Sequence, residues 1–253
     1  MISPIELRDI AASIAKAVGT EVGERRSAGF SWETKSSSAD VVTEIDTWAE
    51  GEVVRRIEAL RPDDGFVGEE GTSRAGNTGV VWVIDPVDGT TNLLYDIPGY
   101  NVSIGVEVDG EIVAGAVHDP VRDEIFAAAL GAGATKNGET IHPSAKTDLE
   151  TVLLVTGFSY SAEQREQQAK AMVHILPRVR DIRRLGGSAL DLCAVACGRV
   201  DAQFERGLQR WDSAAGALIA AEAGAIVEKG DLTRAAAPGI ADAFFALLDD
   251  AGA

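Results

Sequence analysis

The chain has 253 residues, of which 45% are apolar, and its 23 basic and 40 acidic side chains give a formal charge of −17. This length and apolar content fit one large α/β domain or two small ones, with a sizeable buried core. The strong negative charge argues against nucleic acid as a partner, because phosphate backbones bind basic surfaces. An acidic protein can still bind a phosphorylated metabolite where bound cations reverse the sign of the charge locally.

The N-terminus and the cysteine content predict a cytoplasmic protein with no membrane partner. The two cysteines, Cys193 and Cys197, stand four apart in an apolar, helix-like stretch, where packing explains them better than a disulfide or a metal pair. No apolar run approaches the roughly 20 residues that span a bilayer. Residues 1–18 carry early acids and predict an amphipathic helix instead of a signal peptide.

The first half of the chain is predicted to hold two helices and a strand-rich region. Apolar spacing predicts helices over 4–26 and 43–60, and Arg61-Pro62 ends the second. A short strand over 65–68 precedes Glu69, and the apolar run 80–84 predicts a strand buried on both faces. Three further β-rich runs between residues 100 and 129 are separated by Asp-Gly and Asp-Pro turns.

Strands and helices alternate in the second half of the chain. The predicted strands cover 152–157, 181–185, 200–205 and 225–229. The predicted helices cover 161–176, 188–196, 211–224 and the tail from residue 238. Because no repeat or linker interrupts this order, the sequence predicts a single α/β domain over residues 1–253.

Residues 80–93, VVWVIDPVDGTTNL, carry the most informative pattern. The predicted strand ends at Asp85, the chain turns at Pro86 and Asp88 follows, so two acids stand where α/β folds place ligands. Gly89 lets backbone amides approach an anion, and the following Thr-Thr-Asn can open a helical turn whose N–H groups suit a phosphate. Taken alone, Asp-Pro and Asp-Gly could also be ordinary turn formers.

Four other acidic residues indicate a functional site only when they are considered together. Glu69 and Glu70 follow a predicted strand, Asp212 opens a helix of small residues, and Asp46 lies on a predicted helix. Each alone has an ordinary explanation, respectively a solvated helix start, a first-turn acid stabilised by the helix dipole, and a surface charge.

Together these segments resemble the inositol monophosphatase family. That family is marked by D-x-x-T-x-x-D, a GEE turn, W-x-x-D-P-x-D-G-T-T-N and a W-D-x-A-A-G helix, which stand here at 40–46, 68–70, 82–92 and 211–216. Order and spacing match from residue 35 to residue 224. The resemblance implies the layered αβαβα sandwich of the inositol monophosphatase and fructose-1,6-bisphosphatase type, usually a homodimer.

The resemblance also implies a metal site for two or three Mg²⁺ ions. Its ligands would be four side chains and one backbone carbonyl: Glu69, Asp85, Asp88, Asp212 and the carbonyl of Val87. Hard oxygen ligands suit Mg²⁺. The chemistry agrees independently, because two carboxylates about 4 Å apart repel by roughly 4 kcal/mol at an effective dielectric near 20. Converging acids therefore need cations to remain ionised.

The catalytic and substrate-binding roles follow from the same resemblance. Glu69 and the Thr90 hydroxyl would orient a metal-activated water and take its proton, with Asp46 supporting Thr90. Lys35 matches a family lysine near the site, although a solvated loop lysine would also explain it. The implied substrate contacts are Asp88, Gly89, Thr90, Ser188, Ala189, Glu205 and Asp212, of which Glu205 would meet the hydroxyls of the substrate.

Inositol monophosphate is the predicted substrate, and sensitivity to lithium is the predicted family trait. DGTTN at 88–92 favours the inositol branch over the bisphosphate-nucleotide branch, which usually shows a lysine after D-G-T. Histidinol-phosphate and fructose-1,6-bisphosphate phosphatases share the implied fold and remain alternatives. A regulatory binding protein without catalysis is the alternative from another class, and the presence of every implied ligand argues against it.

Overall fold

The computed structural model describes residues 2–35 and 41–253, except for the side chain of Val41. The Asp40 of the first motif lies outside the described residues. The elements of the first half are α1 (Pro4–Ala28), β1 (Trp32–Thr34), β2 (Val41–Thr43), α2 (Glu44–Leu60), β3 (Gly65–Gly68), β4 (Ser73–Arg74), β5 (Val80–Asp88), α3 (Thr90–Tyr95), β6 (Asn101–Val108), β7 (Glu111–Asp119), β8 (Glu124–Ala129), β9 (Ala134–Lys136) and β10 (Glu139–Thr140). The second half contains β11 (Leu153–Thr156), α4 (Ala162–Ile175), β12 (Asp181–Arg183), α5 (Ser188–Ala196), β13 (Ala202–Arg206), α6 (Arg210–Ala223), β14 (Ile226–Glu228), β15 (Leu232–Ala236) and α7 (Ala241–Ala251).

The described elements form alternating layers of helix and sheet. Helices α1 and α2 pack on one face of an eight-stranded sheet of order β10-β9-β8-β7-β6-β5-β3-β4. Helices α5 and α6 lie between that sheet and a five-stranded sheet of order β12-β11-β13-β15-β14. Helices α4 and α7 cover the outer face of the second sheet. The predicted αβαβα order of layers is thereby confirmed.

The start of α2 shows how the sequence fixes an element that later matters at the site. Thr43 is the N-cap residue, and its hydroxyl oxygen accepts a hydrogen bond from the amide of Ile45 at 3.1 Å. The Asp46 carboxylate returns a bond by accepting from the Thr43 amide at 2.9 Å. This reciprocal capping box satisfies amides that a helix start leaves unpaired. The T-x-x-D of the first motif is therefore also a helix-start signal.

Parallel strands bring several loops to one side of the molecule. β3 runs parallel to β5 in the large sheet, and β11 runs parallel to both β12 and β13 in the small one. Strands that run parallel end at the same edge of their sheet. The segments at the carboxyl ends of these strands include residues 69–70, 85–89, 158–160, 184 and 207–209. They supply most of the cavity described below.

Strand β5 differs from its prediction, because it continues past Pro86 to Asp88. Its pairing with β6 changes register between Asp85, opposite Ser103, and Asp88, opposite Asn101. Side chains three apart on a regular strand point to opposite faces, but the extra residue of a bulge brings them to the same side. Pro86 is tolerated at such an irregularity because the ladder bond is already interrupted.

The sequence reasoning missed five strands of two or three residues and one longer strand. These are β1, β2, β4, β9, β10 and β15. The two-residue and three-residue strands carry too few side chains to show a period. In the described part of the chain, no helix has the length and apolar character needed to cross a membrane.

Candidate active site

A cavity of about 390 Å³ opens where loops from both sheets meet. Its lining comes from the carboxyl ends of parallel strands, from the residue after β1 and from the starts of α3, α4, α5 and α6: Lys35, Glu69, Asp85, Val87, Asp88, Gly89, Thr90, Phe158, Ser159, Tyr160, Gln164, Arg184, Gly186, Ser188, Glu205, Arg206, Gly207, Leu208, Gln209, Trp211 and Asp212. Four of these acids, Glu69, Asp85, Asp88 and Asp212, were predicted to meet. They stem from three separate segments, with Asp85 and Asp88 both on β5, so the fold brings them together.

Lys35 and Glu69 face each other at the cavity. The Lys35 ammonium lies 3.0 Å from Glu69 Oε1 and 2.6 Å from Glu70 Oε1. Burial disfavours the ammonium, but the hydrogen bond to Glu70 and the charge of Glu69 outweigh it and hold the pKa of Lys35 above its ordinary value. Lys35 therefore remains protonated beside the acids and is fixed by two ion pairs, as a loop lysine in open solvent would not be.

Asp85 is the most deeply buried of the acids. Only 1% of its surface is exposed, and its Oδ1 atom has no hydrogen-bond partner within residues 2–35 and 41–253. Burial raises the pKa of Asp85 well above its usual range, and the charges of Glu69 and Asp88 raise it further. A buried acceptor without a partner is costly, so this oxygen suits a bound cation.

Asp88 is held in place by the start of α5. Its Oδ2 accepts hydrogen bonds from the Asn101 side-chain amide at 2.9 Å and the Ala189 amide at 2.8 Å. Its Oδ1 accepts from the Ser188 amide at 3.2 Å. Burial raises the pKa of Asp88 to about 6, although these three hydrogen bonds oppose the shift. The predicted substrate contacts Ser188 and Ala189 thus donate their amides to Asp88.

Asp212 occupies the first turn of α6. Its Oδ2 accepts a hydrogen bond from the Gln209 amide at 2.5 Å, and its backbone carbonyl accepts one from the Ser188 hydroxyl at 2.9 Å. Burial raises the pKa of Asp212 to about 8, and the nearby charge of Asp88 adds to the shift. Asp212 therefore stands at the start of a helix, buried and close to the charge of Asp88.

Thr90 opens α3, and Gly89 makes that turn possible. Gly89 has φ of +87°, and a Cβ there would lie 2.7 Å from the carbonyl oxygen of Gly99. Glycine is therefore required both by the left-handed backbone and by the close approach. The Thr90 hydroxyl lies 2.8 Å from Asp46 Oδ1 and 3.0 Å from the Val87 carbonyl oxygen, to either of which it can donate.

The donor set fits a magnesium site. Four carboxylates and the Val87 carbonyl are hard oxygen donors, the type that Mg²⁺ prefers. Burial, with the charges of neighbouring acids, raises the pKa of Asp85, Asp88 and Asp212, and a bound cation would favour their ionised forms. Among the described residues, no three His, Cys, Asp or Glu side chains stand in the geometry of a complete metal site. The fit therefore rests on donor chemistry, on burial and on the unpaired Asp85 oxygen.

Glu205 and Arg184 also line the cavity. Burial raises the pKa of Glu205 to about 7, while the charge of Arg184 opposes the rise. A Cβ at Gly157 would lie 1.8 Å from Glu205 Oε1, so a glycine gives the carboxylate room to lie across β11. This pair offers both an acceptor and a cation to a substrate in the cavity.

The structure collects most of the predicted site residues in one place. Within the described residues, only Asp46 and Ala189 among them do not line the cavity, and both bond to residues that do. Sequence reasoning missed Asn101, Arg184 and the segment 158–160. The signal for the last two was present, because residues 158–160 directly follow the strand predicted over 152–157 and Arg184 lies near the end of the strand predicted over 181–185. Ligands bind at such carboxyl ends. The assigned roles stay predictions.

Comparison with known proteins gives a consistent picture. Residues 4–239 match the sequence profile described as "Inositol monophosphatase family". The chain is 44% identical over 272 residues to a Mycobacterium tuberculosis protein named inositol-1-monophosphatase SuhB, covering 97% of this chain and 94% of that one. It is 43% identical over 194 residues to a Xylella fastidiosa protein named Nus factor SuhB, covering 76% and 70%. The crystal structure of the suhB protein from Bartonella henselae is similar with a TM-score of 0.91 and 31% identity, covering 96% and 98%.

Proposed function

The chain belongs to the inositol monophosphatase family, and from this premise we propose that it hydrolyses inositol monophosphate to inositol and phosphate with Mg²⁺ as its cofactor. It is a phosphoric monoester hydrolase, as the resemblance predicted. The observation that carries the finer proposal is the convergence of four acids and Thr90 on one cavity.

Glu69, Asp85, Asp88 and Asp212, with the carbonyl of Val87, would hold two or three Mg²⁺ ions. Bound Mg²⁺ supplies positive charge that neutralises the phosphate and makes water a stronger nucleophile at neutral pH. The protein must also align the attacking water with the phosphate, because phosphoryl transfer depends chiefly on alignment and charge compensation.

Thr90 and Glu69 provide that position for the attacking water. When the Thr90 hydroxyl donates its hydrogen to Asp46, its remaining lone pairs can accept a hydrogen bond from water in the cavity. The Glu69 carboxylate takes the proton that the water loses. The Lys35 ammonium lies 3.0 Å from Glu69 Oε1 and forms an ion pair with that carboxylate, which helps to fix its position.

Glu205 would accept hydrogen bonds from the hydroxyls of the leaving group. Glu205 and Arg184 line the same cavity as the four acids. A substrate panel of inositol, histidinol, fructose and adenosine phosphates tests this assignment by phosphate release. We expect the highest specificity constant with inositol monophosphate, in Mg²⁺ only. A preference for histidinol phosphate or fructose-1,6-bisphosphate would replace inositol monophosphate as the proposed substrate. Full turnover in excess chelator would overturn the metal requirement.

The proposal extends to lithium inhibition and to a cytoplasmic homodimer. Titration with LiCl should lower turnover more than titration with KCl at equal ionic strength. Light scattering should give twice the mass of the monomer. Because relatives are named Nus factor SuhB, a regulatory role beside catalysis is a second candidate. An inactive Asp212→Asn variant that retains such a role in cells would separate the two functions.

A further inference from the structure

Glu50 is a buried acid of α2 for which the proposed mechanism has no use. Only 3% of its surface is exposed, yet it bonds to no arginine, lysine or histidine among the described residues. Its partners are two backbone amides, and buried charges are costly unless such partners compensate them. The position of these amides indicates what the residue does.

Both amides belong to the hairpin loop that carries Glu69. The loop covers residues 69–72 between β3 and β4. Glu50 Oε2 accepts a hydrogen bond from the Glu70 amide at 2.8 Å, and Oε1 accepts one from the Thr72 amide at 2.8 Å. The two carboxylate oxygens thus fix the backbone at residues 70 and 72, directly after Glu69.

Gly68 gives the Glu50 carboxylate room to make these bonds. A Cβ at residue 68 would lie 2.3 Å from Glu50 Oε2 and 2.5 Å from its carboxyl carbon. Real Cβ atoms do not approach so closely, so any larger residue would displace the carboxylate. The glycine of the GEE turn is therefore matched to a side chain on another element.

Helix α2 also contacts Thr90, the second residue proposed to orient the water, through Asp46. Asp46 and Glu50 stand four apart on α2, and residues at this spacing share a helix face. Asp46 accepts from the Thr90 hydroxyl at 2.8 Å, while Glu50 accepts from the loop after Glu69. One rigid helical turn therefore sets the positions of both Glu69 and Thr90.

We propose that Glu50 is a positioning residue for catalysis, which fixes the 69–72 loop so that Glu69 and Thr90 align on the same water. This inference rests on the proposed role of Glu69. It expects that Glu50→Gln, which keeps the size but replaces one acceptor oxygen by a donor group, lowers kcat about 10-fold to 100-fold, since a 1 Å misplacement can cost that much. KM should change by less than about threefold, because the substrate contacts are untouched.

The chain offers a matched control in Glu222. This glutamate, on α6, holds a remote loop in the same way, because its two oxygens accept from the Gly131 amide at 2.9 Å and the Gly133 amide at 2.8 Å. Glu222→Gln should speed amide hydrogen exchange over residues 131–133 and leave kcat unchanged. Glu50→Gln should speed exchange over residues 68–72. If Glu50→Gln does not fold, Gly68→Ala displaces the same carboxylate and should give the same selective loss of kcat.

A double-mutant cycle with Glu69→Gln completes the test. If Glu50 acts through Glu69, adding Glu50→Gln to Glu69→Gln should cost less than about twofold more, because coupled residues are not additive. Wild-type kcat with protected 68–72 amides in Glu50→Gln, or a fully multiplicative loss in the double variant, would overturn the inference alone. Wild-type turnover in Glu69→Gln would instead overturn the proposed mechanism and this inference with it.

Discussion

The Asp46 carboxylate lies 2.8 Å from the Thr90 hydroxyl, although the two residues are 44 positions apart in the chain. Asp46 also completes the capping box of α2 by accepting from the Thr43 amide at 2.9 Å. Burial raises the pKa of Asp46, but the bonds from Thr43 and Thr90 favour its ionised form. One acid therefore starts a helix and sets the direction of a catalytic hydroxyl.

Asp46→Asn should lower kcat about 10-fold to 100-fold, because the Asn amide can turn a donor toward Thr90 and misalign the water. Steady-state kinetics on inositol monophosphate measures this effect. The matched control is Glu6, which occupies the same capping-box position at the start of α1, where the Ser3 amide donates to it at 2.8 Å. Glu6→Gln should leave kcat unchanged. An equal kcat in Asp46→Asn and wild type would remove Asp46 from the mechanism.

Glu205 should separate substrate recognition from catalysis. Glu205→Gln loses a charge-assisted acceptor worth about 1.5–3 kcal/mol, so the specificity constant for inositol monophosphate should fall roughly tenfold to a hundredfold. p-Nitrophenyl phosphate has no hydroxyls to meet Glu205, and its hydrolysis should change little. Equal losses on both substrates would place Glu205 in the metal or folding machinery, and no loss on either would make it a bystander.

Metal binding should stabilise the fold. Mg²⁺ at about 100 times its Kd should add about 2.7 kcal/mol to the free energy of unfolding, and each kcal/mol raises Tm by roughly 2–4 °C in a chain of this size. Asp85→Asn removes a buried charge with an unpaired oxygen, so this variant should match or exceed the wild-type Tm in chelator and gain less from Mg²⁺. KCl at equal ionic strength is the control. An identical Mg²⁺ shift in the variant would contradict the ligand role.

His118 should make stability depend on pH. It is 1% exposed, its Nδ1 has no partner among the described residues, and Asp123, Lys16 and Asp119 are the charges around it. Burial lowers the pKa of His118 below 6.5, although the hydrogen bond to Asp123 opposes this. The unfolded chain then binds the proton more readily, so stability is present above pH 6.5 and is lost as pH falls through the folded pKa.

Chemical denaturation between pH 7.5 and about 5 tests this dependence. His118→Gln cannot titrate, so its free energy of unfolding should fall less steeply over that range than that of wild type. His174 is exposed on α4, and His174→Gln is the control that should keep the wild-type slope. Parallel curves for His118→Gln and wild type would show that burial of His118 costs nothing.

The sequence predicted the parts of this fold that have strong local signals. Helix α5 (Ser188–Ala196) and strand β3 (Gly65–Gly68) have their predicted bounds. The continuation of β5 past Pro86 was not predictable, because a bulge depends on its partner β6. The two-residue strand β4 likewise exists only through its pairing with β3.

At the candidate site, too, the sequence predicted the residues with local signals and missed the contacts between distant segments. The family motifs named the acids, but they could not show that Asp88 accepts amides from the start of α5, because 100 residues separate Asp88 from Ser188. Glu50 was missed because a lone glutamate on a helix is ordinarily a solvated charge. Its function becomes visible only where Gly68 and the 69–72 loop pack against it.

Phosphate release from inositol monophosphate by wild type and Asp212→Asn, each in Mg²⁺ and in excess chelator, tests the central claim most directly. Circular dichroism verifies that the variant is folded. We expect turnover only for wild type in Mg²⁺, and a loss of about 100-fold or more in the variant, because the metal supplies several kcal/mol of transition-state stabilisation. Undiminished turnover in chelator, or wild-type turnover in a folded Asp212→Asn protein, would contradict a metal-dependent phosphatase site built on these acids.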